Sequence, residues 1–144
     1  MRRFLGLCVA IVLGACHTLD APDQNITLPT TDTNVSGTFI LTSANGNVPP
    51  YTAGATSSEL LTLVNDRIVI HDDQTWADTT NYSVQRRSDG VAHDSSTATS
   101  GTYAIANGHI NFTMTHGGGA VFVGSVIGDE LAVNFSGALF RYQR

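Results

Sequence analysis

The chain has 144 residues, with a formal net charge of −5 and no lysine among its seven basic residues. That length holds one domain, and the scattered arginines leave no basic patch for a nucleic-acid partner. With charged residues at 13% and hydrophobic residues at 42%, the composition is that of a folded chain, and the acidity bears mainly on solubility.

The chain opens with Arg2 and Arg3, then an apolar stretch from Phe4 to Leu13 broken by Gly6, then the small residues Gly14 and Ala15 before Cys16. A positive start, a short apolar run and small residues are the layout of a secretory signal. The run of about ten residues is too short to span a bilayer, which takes about 20. Leu13-Gly14-Ala15-Cys16 resembles a bacterial lipobox. The resemblance implies cleavage between Ala15 and Cys16, thioether lipidation of Cys16 and acylation of its freed amine. Loss of Arg2 and Arg3 with the signal takes the formal charge from −5 to −7. Cys8 leaves too, so the mature chain keeps one cysteine and cannot form an internal disulfide. Stability therefore rests on core packing. His17 is not the aspartate that retains some lipoproteins in the inner membrane. The expected location is the cell envelope, at the outer membrane and facing the periplasm.

Residues 16–36 read as a lipidated cysteine and a tether, because His17 to Ser36 is rich in Thr, Asp, Asn and Pro without a sustained apolar period. From Gly37 the pattern turns to period two, with Phe39 and Leu41 on one parity. Asn45-Gly46 signals a turn, and Pro49-Pro50 interrupts strand pairing. Leu60 to Val64 and Arg67 to His71 read as two short strands. His71-Asp72-Asp73-Gln74 reads as a hairpin turn. Trp76, Tyr82 and Val84 share one parity of the next strand, and the polar run Arg86 to Ser96 reads as a loop. Thr102 to Ala106 and His109 to Thr115 flank Asn107-Gly108, the turn pair in which both residues accept positive φ. Ile110, Phe112 and Met114 alternate with Asn111, Thr113 and Thr115. Gly117-Gly118-Gly119 turns the chain into Ala120 to Ile127. Gly128-Asp129 follows, then Leu131, Val133 and Phe135 on one parity, a turn at Gly137, and a last strand over Leu139 to Tyr142.

No segment after the signal has a helical period. Eight or nine strands with short connections make an all-β antiparallel up-and-down meander over residues 37–144. Closure into a barrel is favoured over a sandwich because it removes exposed edges. The outward parity is Thr, Asn and Ser and the inward parity is apolar, the reverse of a membrane barrel.

Gly37-Thr38-Phe39-Ile40-Leu41, Asn45-Gly46 with Pro49, Gly101-Thr102-Tyr103 through Phe112, and Gly128-Asp129 through Leu131, Phe135 and Phe140-Arg141 follow one order. In that order the chain resembles small bacterial lipocalin-like lipoproteins. The resemblance covers most of residues 37–144 and implies a closed or nearly closed lipocalin-like barrel. Two departures stand out. Asp73-Gln74 replaces the Asp-Gly of the central hairpin, and Arg86 to Ser96 matches no family motif.

Phe39, Trp76, Tyr103, Phe112, Met114 and Phe135 are the interior candidates. They either line a cavity for a small apolar ligand or fill the core of a structural module. His71, Asp72, Asp73 and Asp78 lack the spacing of a calcium loop and read as turn chemistry, so no metal is expected. His93-Asp94 reads as a solvated pair in a loop. No nucleophile elbow or phosphate loop occurs, so no catalytic residues and no cofactor are expected. The sequence thus reads as a membrane-anchored, monomeric binding barrel. A packed protein-interaction module is the alternative, and an enzyme is the third reading.

Overall fold

The structure, a computed structural model, describes residues 27–144. The signal peptide, Cys16 and the first part of the tether lie outside the described residues.

Nine strands follow in chain order: β1 (Gly37–Ala44), β2 (Tyr51–Ala55), β3 (Glu59–Ile70), β4 (Thr75–Arg86), β5 (Ala92–Ala106), β6 (His109–His116), β7 (Val121–Ile127), β8 (Glu130–Phe135) and β9 (Ala138–Gln143). All pairings are antiparallel, and the described residues contain no helix. β3 to β9 form a meander, β9 pairs with β1, and β1 pairs back onto β3, which closes an eight-stranded barrel. β1 uses only Gly37 to Ile40 against β3, opposite Ile70 to Arg67. The ninth strand, β2, takes the other half of β3, with Tyr51 opposite Leu63 and Ala55 opposite Leu60. The first half of β3, β2, the end of β4 and the start of β5 therefore extend past the closed barrel as a four-stranded flap.

The turns follow local chemistry. Asn107 and Gly108 have φ of 54° and 77°, as the Asn-Gly pair predicts, and Asn45 and Gly46 repeat this at 48° and 81°. At the central hairpin Gln74 adopts φ 65°, the conformation a glycine would hold there without strain. The turn is held by Asp73, whose carboxylate accepts from the Thr75 hydroxyl at 2.6 Å and from its amide at 3.1 Å. These bonds hold Asp73 below the usual carboxylate range.

Three expectations change. The loop expected over Arg86 to Ser96 shrinks to a hairpin turn over residues 87–91. β5 already begins at Ala92 and pairs with β4 without interruption from Gln85–Ala92 to Thr75–Thr102. Both faces of this stretch are solvated outside the barrel, so its side chains carry no apolar period to read. The strands expected over Leu60–Val64 and Arg67–His71 are one, β3, which ends at Ile70 and carries a bulge at Val64 that keeps Leu63 and Asp66 both buried. The tether expected over 16–36 is seated on the barrel from Thr31 onward. The Thr31 amide donates to the Gly108 carbonyl at 2.7 Å, the Asp32 amide donates to the Val126 carbonyl at 2.7 Å, and the Val126 amide donates to the Thr31 hydroxyl at 2.9 Å. Val35 is buried in the core. This segment covers the end of the barrel opposite the flap.

Phe39, Ile110, Phe112, Val126 and Leu131 are fully buried. Phe112 stacks on Phe122 at 4.8 Å between centroids, and Trp76 meets both rings edge-on at 5.7 and 5.3 Å. Gly101 allows this approach, because a Cβ there would lie 1.9 Å from the Thr113 carbonyl oxygen and 2.9 Å from Trp76 Nε1. The Trp76 indole donates to the Thr102 carbonyl at 3.1 Å, so its polar atom is satisfied in the core.

Candidate functional site: a buried acid pair at the flap-side end

The inward faces are not wholly apolar. Asp66 precedes Ile68 and Ile70 on the buried parity of β3, and Asp78 follows Trp76 on the buried parity of β4. The register sets Asp66 opposite Thr80 and Asp78 opposite Ile68 on one side and Thr99 on the other. The two carboxyl groups therefore meet on the inner wall, one layer below the aromatic core and at the mouth of the flap.

Asp66 is 6% exposed. Its Oδ2 accepts a hydrogen bond from the Tyr142 phenol of β9 at 2.9 Å, and its Oδ1 accepts a longer one from Thr80 at 3.4 Å. Asp78 Oδ2 accepts from the Thr80 and Thr99 hydroxyls, each at 3.4 Å. Asp78 Oδ1 is buried and has no hydrogen-bond partner. No arginine or histidine forms an ion pair with either carboxyl group among the described residues. The ion pairs present are Arg86–Asp89, Arg141–Glu130 and Arg144–Asp129, all on the surface.

Burial, and then the hydrogen bond and charge of Asp66, push the Asp78 carboxyl up to about 9, against the opposing pull of Thr80 and Thr99. Asp78 therefore holds its proton at neutral pH. The same charge reaches three phenols. Tyr142 is held well above its usual value by burial and then by Asp66, and Tyr51 and Tyr82 are raised by burial and then by Asp66. Tyr51 and Tyr82 are half-buried against the core, as are Met114, Phe135 and Phe140. These side chains surround the flap-side end.

The six interior candidates read from the sequence all belong to one cluster. Phe39, Trp76, Tyr103 and Phe112 are buried within it, and Met114 and Phe135 are half-buried against it near the flap-side ends of β6 and β8. The Tyr103 phenol donates to the His71 carbonyl at 2.9 Å. The acidic group read as turn chemistry divides. His71, Asp72 and Asp73 are exposed at the β3–β4 hairpin, whereas Asp78 is interior. His93 and Asp94 are exposed on β5, where a loop was expected. Asp66, and the inward placement of Asp78, escaped the sequence reading because each residue sits in a polar stretch. The available signal was parity: Asp66 stands two residues before Ile68, and Asp78 two after Trp76.

Two open clefts lie outside the barrel. One, about 540 Å³, runs between Thr27–Leu28 and the outer wall at His109, Val121 and Val123. The other, about 620 Å³, lies between Thr31–Asn34 and Gly128, Asp129 and Arg144. No protein-family model, curated protein or solved structure matches the chain.

Proposed function

We propose that this chain is a lipid-anchored envelope protein whose barrel binds a small amphipathic amine at its flap-side end. The anchor is supported by Leu13-Gly14-Ala15-Cys16, and His17 favours the outer membrane. The ligand reading rests on one observation: two inward carboxyl groups share a wall of the barrel with no cation beside them among the described residues, and one of their oxygens is buried and unpartnered there. Buried carboxyl groups are ordinarily paired. A protonated amine would donate to Asp78 Oδ1 and to Asp66, with Tyr51 and Tyr82 beside it to receive the cation over their rings. Its apolar body would lie against Met114, Phe135 and Phe140. Binding a cation favours the ionised form of Asp78, so uptake would release a proton and affinity would rise with pH below about 9.

The aromatic side chains, read from the sequence either as cavity walls or as a filled core, pack on one another, which supports a filled core in the closed barrel. That packing favours the second reading, a structural or interaction module, if the flap-side end takes no ligand. Hexylamine and hexanol separate the readings, since they share an apolar tail and differ in head group. On the full chain in detergent, hexylamine should raise the melting temperature and hexanol should not, and Asp66→Asn should abolish the hexylamine effect. Equal shifts from both compounds would mean an apolar site only, and no shift from either would leave the packed module.

A further inference from the structure

We propose that the edge of β5 from Ala92 to Thr99 is a homodimer interface, paired antiparallel with the same edge of a second copy of this chain. Of the 15 residues of β5, only Ser100 to Ala106 have β6 beside them. Ala92 to Thr99 pair with β4 alone, so their other row of peptide groups is unpaired among the described residues. At about 3.4 Å per residue this is an open edge of about 27 Å.

An open edge of that length is a template for strand addition unless it is guarded. The usual guards are proline, lysine, bulges and covering segments. Ala92 to Thr99 contains no Pro, Lys or Arg. Its register against β4 is unbroken, although β1–β9, β2–β3, β3–β4 and β5–β6 each contain a shift. The other free edge of the flap, β2, shows the contrast. It is five residues long, follows directly on Pro49-Pro50, and is bulged between Thr52 and Gly54. One edge is guarded, and the other is unbulged and, among the described residues, unpaired.

A second copy is the occupant that fits. The edge is mostly Ser and Thr, and its one carboxylate, Asp94, stands two residues from the centre of the symmetric pairing. Symmetric antiparallel pairing sets one residue opposite its own mate. With Ser96 at that position, Ser95 faces Thr97, Asp94 faces Ala98 and His93 faces Thr99. No like charges oppose one another, and Ser/Thr cross-strand pairs are favourable. The edge also projects past the closed barrel. In the antiparallel arrangement the two barrels therefore lie at opposite ends of the shared sheet and do not obstruct it.

The mass of the full chain in detergent, measured by light scattering with the detergent subtracted, tests this. The parent should have twice the mass of one chain. The double variant Ser95→Lys/Thr97→Lys, which sets lysines opposite lysines twice, should have the mass of one chain. Both side chains are exposed, and far-UV circular dichroism checks that the variant remains folded. Thr52→Lys, on the β2 edge, should stay dimeric. Ser96→Cys should form an intermolecular disulfide, because directly opposed residues lie within disulfide reach. A monomeric parent overturns the proposal. So does a dimer that survives the β5 lysines, or one that is lost equally in Thr52→Lys.

Discussion

The Tyr142 phenol on β9 donates a 2.9 Å hydrogen bond to the carboxylate of Asp66 on β3, joining positions 76 residues apart across the barrel interior. Neither strand is the other's neighbour, since β1 lies between them. The bond is a cross-brace under the aromatic core. Tyr142→Phe would keep the ring and remove the donor from a buried carboxylate. Hydrogen bonds to charged groups contribute about 1.5–3 kcal/mol. The variant should lose stability in that range in urea denaturation with an unchanged slope. A loss below about 0.5 kcal/mol would mean that water reaches Asp66 in place of the phenol.

Asp78 makes stability fall as pH rises. Its folded carboxyl group sits at about 9 and its ordinary value is 3.8, so between those limits the folded state holds a proton that the unfolded state has released. The stabilisation is complete below about 4 and is lost as pH rises through about 9. The slope for one proton is up to about 1.4 kcal/mol per pH unit. Asp78→Asn keeps the shape without the titration. It should flatten the profile and be more stable than the parent at pH 8. Urea midpoints of both proteins from pH 5 to pH 9 check this, and a parent profile as flat as the variant's would contradict it.

Gly108 has φ 77° in the β5–β6 hairpin, and its carbonyl also receives the Thr31 amide. A β-branched residue is strained at positive φ, and a Cβ there would lie 3.0 Å from Thr30 Cγ2. Gly108→Val should therefore destabilise by more than about 1 kcal/mol. Thermal unfolding gives the comparison, with Gly46→Val as partner, where a Cβ meets nothing within 4 Å and only the backbone strain remains.

Phe112 is fully buried between Phe122, Trp76 and Tyr103. Phe112→Asp would set a carboxyl group among these rings without a partner, at a cost of several kcal/mol or a strongly raised pKa. The variant should be unfolded at neutral pH by near-UV circular dichroism. A spectrum equal to that of the parent would show that the ring cluster does not hold the barrel together.

Cys16→Ser should release the protein from the membrane, because a chain without acyl groups has no apolar anchor. Detergent phase partitioning of parent and variant gives the answer. A variant that still partitions with detergent would remove the lipobox reading.

Where structure depends on neighbours in sequence, the residues alone determined it. Asn107-Gly108 fixed a hairpin because both residues tolerate positive φ, and alternation over Ile110–Met114 and Leu131–Phe135 fixed which side chains face inward. The all-β meander follows from these local signals. Closure was expected because it removes exposed edges, but the pairings that make it, β1 with β3 and with β9, were not legible, because they depend on how much twist the whole sheet accumulates. The polar run at Arg86 to Ser96 could not be read as strand either, because its partner β4, and not an apolar face, holds it extended. The acid pair shows the same limit. Asp66 and Asp78 are twelve positions apart, each in a polar stretch, and only the β3–β4 register turns both inward and brings their carboxyl groups together. Spacing along a chain reports periodicity and turn chemistry, whereas the juxtaposition of two carboxyl groups on an inner wall is set by strand register and burial, which only the folded barrel supplies.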